Sequence, residues 1–125
     1  MRGQGLLVLL VLALPYPAFA AQAIDLSKPH GTVVGCQNRE GQTVESEDML
    51  LLTSESMVTS TSTCAFIQKL TVADGTIVVT ALCTIAGEQG RSISQFSISI
   101  SKTEPTKLAI FDEYGAAFDE VAPCG

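Results

Sequence analysis

The stretch Cys64-Ala-Phe-Ile-Gln-Lys-Leu-Thr-Val-Ala-Asp-Gly-Thr-Ile-Val-Val-Thr-Ala-Leu-Cys-Thr-Ile-Ala-Gly-Glu-Gln-Gly-Arg-Ser-Ile-Ser-Gln-Phe-Ser-Ile-Ser-Ile-Ser101 decides the fold class. It reads as two antiparallel hairpins that share one central strand. In Ile77–Ile85 the odd positions are Ile, Val, Ala, Cys and Ile, while threonines alternate with Val and Leu on the even ones. Side chains alternate across a strand, so one face is wholly apolar and the other half polar. The run from Cys64 to Val72 places Cys64, Phe66, Leu70 and Val72 on its even face. Asp74-Gly75 between these runs is a strong hairpin signal. A two-residue Asp74-Gly75 loop sets Val72 against Ile77, Leu70 against Val79 and Phe66 against Cys83, so the two apolar faces coincide. A three-residue loop with one bulged glycine sets Leu70 against Val78 and Phe66 against Leu82, and brings Thr80 and Thr84 inward. The pattern favours the first register.

The second hairpin turns over Ala86–Arg91 and returns through Ser92–Ser101. There Phe96, Ile98 and Ile100 share a face with serines between them. Ile93 is out of phase, and a bulge near Ser94-Gln95 would restore it.

Outward from this core, Met1–Ala20 has the form of a secretory signal. Arg2 opens it, Leu6–Leu14 is an uninterrupted apolar run, and Ala18-Phe19-Ala20 offers small residues for cleavage. The run is shorter than the roughly 20 apolar residues a membrane-spanning helix needs. Residues 1–20 are therefore expected as a cleaved signal peptide, 21–30 as a flexible tether and 31–125 as a single β domain. The destination is export, periplasmic or secreted, with no membrane insertion after cleavage.

Thr32-Val33-Val34 reads as the opening of the first strand, and Cys36–Thr43 as a polar loop. A helix is an option over Ser46–Leu52. Strands follow near Met57–Thr59, and Lys107–Phe111 and Ala116–Val121 close the chain around Glu113-Tyr114-Gly115. The sum is an all-β protein: an antiparallel meander of seven or eight short strands forming a small barrel or sandwich, tied by two disulfides.

Composition narrows the function classes. Without Arg2, six basic residues stand against thirteen acidic ones, a net charge of −7. Such a balance argues against nucleic acid and anionic membrane surfaces, and for a basic protein partner. Five aromatics remain beyond residue 20 (Phe66, Phe96, Phe111, Tyr114, Phe118), too few for a stacking platform for sugars or bases. The single histidine, His30, sits beside Pro29 at the edge of the expected tether. It reads as a surface histidine, because a catalytic base must be held rigidly by a third group. The acidic groups Glu45-Ser46-Glu47-Asp48, Asp112-Glu113 and Asp119-Glu120 match no calcium-loop signature and read as solvated turns. The alternating threonines of Thr59–Thr63 read as an exposed, soluble strand. No catalytic, cofactor-binding or metal-binding residues are assigned, and no cofactor is expected.

Cys36, Cys64, Cys83 and Cys124 are even in number and lack the close Cys-x-x-Cys pairs of a zinc site, so disulfides are expected. The Asp74-Gly75 hairpin keeps Cys64 and Cys83 close. Shifting its register by two, to an Ala73-Asp74 loop, sets them directly opposite. Cys36 and Cys124 are then left for each other, joining the start of the domain to its end. The sequential pairing, Cys36 with Cys64 and Cys83 with Cys124, remains open at this stage.

A leader followed by four cysteines, with Cys64 opening a strand, Cys83 closing its hairpin partner and Pro123-Cys124 near the C-terminus, resembles small exported four-cysteine β-domain proteins of alphaproteobacteria. Their functions are mostly unassigned, so the resemblance implies a fold and a compartment and no activity. The expectation is an exported, non-enzymatic binding module, such as an inhibitor or an accessory of an envelope complex. The alternatives are a small-ligand carrier with a barrel cavity and, less favoured, a small enzyme.

Overall fold

The computed structural model describes residues 23–39 and 46–125. The expected signal peptide, residues 21–22 of the tether, residues 40–43 of the expected polar loop and Glu45 lie outside the described residues. Eight strands close into one antiparallel barrel, each paired with its neighbour in sequence and the last with the first. They are β1 (His30–Gly31), β2 (Leu50–Leu52), β3 (Ser56–Thr59), β4 (Ser62–Thr71), β5 (Ile77–Ile85), β6 (Ser92–Ile100), β7 (Leu108–Asp112) and β8 (Ala117–Pro123), with one helix among the described residues, α1 (Val33–Arg39). Closure decides between barrel and sandwich, and it removes the open edges that a free meander would carry along its first and last strands.

The central strand behaves as its alternation requires. Ile77, Val79, Ala81 and Cys83 are all buried, with intermediate or exposed residues between them. Val79 and, from other strands, Leu50, Leu52, Ile98, Ile110 and Val121 are the largest fully enclosed side chains and fill the barrel's centre. Burying a side chain of this size contributes about 1.5–3 kcal/mol, which makes this layer the main source of stability.

The β4–β5 register departs from the favoured one. Beside the turn Thr71 pairs with Ile77, Leu70 with Val78 and Lys69 with Val79. The loop is the three-residue form: Val72 N–H donates to Thr76 O, and Gly75 has φ 88°. A β-carbon is strained at that φ, which is why glycine closes this turn. The Asp74 carboxylate accepts from Thr76 N–H, which holds its pKa below the ordinary aspartate value. That bond supports the turn above the ordinary range and is lost as pH falls through the lowered value.

A bulge between Phe66 and Gln68 then shifts the pairing by one. Cys64 comes to lie directly opposite Cys83, and Phe66 opposite Ala81. Ile67 and Leu70 are left exposed, and Val72 is exposed to a lesser degree. In contrast, β5 and β6 pair without a shift, so the bulge expected near Ser94-Gln95 is absent and Ile93 simply faces water.

Both disulfides adopt the nested arrangement, Cys64–Cys83 and Cys36–Cys124. The first joins facing residues of one hairpin. The second ties α1 to the residue after β8, across a separation of 88 residues.

The start of the domain corrects three expectations. Val33-Val34 lie in α1, not in a strand, and α1 takes in Cys36–Arg39, expected as loop. Thr32 explains the helix. Its Oγ1 accepts from Gly35 N–H as an N-cap and from Leu50 N–H across to β2. Second, Leu50–Leu52 is a strand and not part of a helix, because it pairs with both β1 and β3. Third, the packed domain begins before residue 31: Leu26 is buried in the core, and Ile24 packs against it. His30 is likewise buried in β1, not on the surface, with Nδ1–H donating to Lys28 O at 2.8 Å.

Candidate functional site

A cleft with a largely apolar lining lies at the barrel end carrying the 60–61, 86–91 and 113–116 turns. Its volume is about 310 Å³. Ser94 on β6 is a small residue lining this end, whereas the barrel's centre is filled by Leu, Ile and Val. Met57, the Cys64–Cys83 disulfide, Ile85, Phe96 and Ile110 give the cleft an apolar floor. Phe96 stacks edge-on against Phe66 with ring centroids 5.6 Å apart, which fixes one wall.

The rim is polar and aromatic. Ser62, Ser94, Gln95, Asp112 and Glu113 supply hydrogen-bonding groups, and Tyr114 and Phe118 stand over the opening. Tyr114 is 87% exposed and Phe118 54% exposed. Local chemistry holds both in place. The Asp112 carboxylate accepts from Tyr114 N–H and Ala116 N–H, each at 2.9 Å, and Gly115 closes the turn at φ 79°. Opposite Phe111 the strand skips from Asp119 to Ala117, so Phe118 is the bulged residue and is turned out of the ladder.

The residues singled out by sequence are dispersed. Cys64 and Cys83 form part of the cleft floor, while Cys36 and Cys124 line a separate shallow depression with Gly31, Thr32 and Pro123. His30 is not among the cleft residues. Asp112 serves the rim turn, Asp119 accepts from its neighbour's N–H, and Glu120 accepts from the buried Ser101 hydroxyl at 2.6 Å. The carboxylates thus act as turn and strand acceptors. Thr59–Thr63 is not one continuous strand: Thr59 ends β3, Ser60-Thr61 make the turn and Ser62-Thr63 open β4, with Thr59 Oγ1 accepting from Ser62 N–H.

The cleft itself was not signalled by any motif. Its walls come from β3 to β8, which only the closed barrel brings together. Among the described residues no helix is long and apolar enough to cross a membrane. No protein-family model, curated protein or solved structure matches the chain.

Proposed function

We propose that the protein is an exported, non-enzymatic binding module that receives an apolar side chain of a basic protein partner in the cleft at the barrel mouth. One observation carries this reading: the barrel's centre is filled by fully buried aliphatic residues, while its mouth keeps an apolar cleft overhung by two exposed aromatics. Tyrosine and phenylalanine over a concave apolar floor are the composition of binding hot spots. The two disulfides suit an oxidising compartment, in keeping with a leader at residues 1–20. Glu113 beside the opening, and a net charge of −6 over the whole chain, favour a basic partner. Apolar side chains, serines, Gln95 and carboxylates form a set suited to packing and hydrogen bonding.

A carrier of a small apolar ligand is the second reading, favoured by the volume of about 310 Å³, at the lower end of known ligand sites. A photo-crosslinking amino acid at Tyr114 or Phe118 separates the two. The first reading expects a discrete protein adduct from the exported compartment, absent when the probe replaces Lys102 in the β6–β7 loop. Tyr114→Ala with Phe118→Ala should then weaken that partner by about 10- to 100-fold, and raised salt should slow its association. A small-molecule mass retained in native mass spectrometry, with no protein adduct, would transfer the cleft to the second reading. Equal labelling at the mouth and at Lys102 would remove both.

A further inference from the structure

The barrel is closed, but β4 is longer than the strand beside it. Pairing of β3 with β4 runs over Ser56–Val58 and Thr63–Ala65, and Phe66 N–H donates to Glu55 O just beyond. From Gln68 to Thr71, beyond the bulge at Ile67, β4 is paired with β5 alone. The bulge at Ile67 sets which backbone groups face away. Val72 N–H donates to Thr76 O, toward β5. By alternation Leu70 and Gln68 also bond toward β5, so Lys69 and Thr71 direct N–H and C=O to the open side. Exposed apolar residues accompany this edge: Ile67 at 60%, Leu70 at 57% and Val72 at 39%. A groove lined by Ser54, Glu55, Phe66 and Lys69 continues along it.

We propose that this edge pairs with the same edge of a second copy, antiparallel about a two-fold axis at Leu70. Parity selects the register. A symmetric pair centred on Lys69 would set two ammonium groups opposite each other, which is destabilising. One centred on Thr71 would run Lys69 into the partner's turn at Ala73. Centring on Leu70 places Lys69 opposite Thr71 as hydrogen-bonded pairs on both sides of the axis, and Leu70 against Leu70 as the close, non-hydrogen-bonded pair. Gln68 then faces Val72, and the partner's Ala73–Gly75 turn runs toward the groove beside Ser54 and Glu55. Both edges are consumed in one isologous contact, and the bulge ends the ladder at Ile67, so the assembly stops at a dimer. The inference rests on the strand edge and is independent of the cleft.

The test uses the full domain with its disulfides intact. Light scattering over a concentration series should show a monomer–dimer equilibrium. Leu70→Cys should give a covalent dimer on mild oxidation, because non-hydrogen-bonded partners lie about 4.5 Å apart at Cα, within disulfide range. Lys102→Cys, placed in the β6–β7 loop, should not. Thr71→Pro should weaken the dimer at least about ten-fold, with circular dichroism and melting temperature unchanged, because that N–H takes no part in the barrel ladder. Monomer at every concentration, or equal cross-linking of Leu70→Cys and Lys102→Cys, would overturn the proposal. So would a Thr71→Pro variant that folds and still dimerises with unchanged affinity.

Discussion

Replacing Cys36 and Cys124 together by alanine is expected to lower the unfolding free energy by about 4 to 5 kcal/mol, against about 3 kcal/mol for replacing Cys64 and Cys83. The difference follows from the chain-entropy model of cross-links, with loops of 88 and 19 residues. The outer cysteines are only half-buried, so little packing is lost with them, whereas Cys64 and Cys83 are 4% and 3% exposed and lose core contacts as well. The outer bridge also does something the inner one does not. Facing residues of the β4–β5 hairpin are already held by the ladder around them. β1 has only two residues, paired to Ala122 and Pro123 of β8, and Cys36–Cys124 fastens that short seam. Denaturant unfolding of the two double variants measures the order. An inner pair that proves clearly more costly than the outer would show that core packing at Cys64 and Cys83, and not closure of the barrel, dominates.

Gly35→Ala is expected to destabilise by about 3 kcal/mol, through overpacking against a backbone that does not yield. A β-carbon at Gly35 would lie 1.9 Å from Leu50 O, and 2.6 Å from the same residue's carbonyl carbon. Leu50 is fixed in β2, its carbonyl accepts from Thr32 N–H, and its N–H donates to the Thr32 hydroxyl. The helix would have to lift from the barrel, taking Thr32 and Cys36 with it. Propensity predicts the opposite sign, since alanine in a helix interior is about 1 kcal/mol better than glycine. Urea or guanidinium titration therefore gives a clean answer. Unchanged or raised stability would mean that α1 does not pack on β2 at this distance.

The same residues explain how far the sequence could be read. The β4–β5–β6 meander was legible because Ile77–Ile85 and Phe96–Ile100 alternate without ambiguity. Register was not, because pairing apolar with apolar assumes that apolar side chains face inward. Leu70, Val72 and Ile93 break that assumption: near the turn, glycine at φ 88° sets the loop length, and the ladder follows the turn. The bulge at Ile67 then repairs the phase for Phe66 and Cys64, an event that no periodicity marks. Val33-Val34 misled in another way. β-Branched residues favour strands weakly, and here a threonine cap, a glycine approach to Leu50 and a disulfide at Cys36 together override them. Leu50–Leu52 was too short to classify by periodicity alone. The nested cysteine pairing was among the readings the sequence allowed, and the structure selects it from them. The cleft was beyond reach of the sequence because its lining is gathered from six strands, β3 to β8, that only the closed barrel brings together. Phe118 lies in the closing strand β8 as read, but as its bulged residue, which no periodicity marks.

Closure of the barrel by the nested cysteines is tested most directly by non-reducing tryptic peptide mapping. Arg39, Lys69, Arg91 and Lys107 separate the four cysteines onto four peptides. The structure requires the peptide ending at Arg39 to be joined to the one from Leu108 to Gly125, and the peptide 40–69 to be joined to 70–91. A linkage between the Cys36 and Cys64 peptides, with Cys83 joined to Cys124, would contradict it.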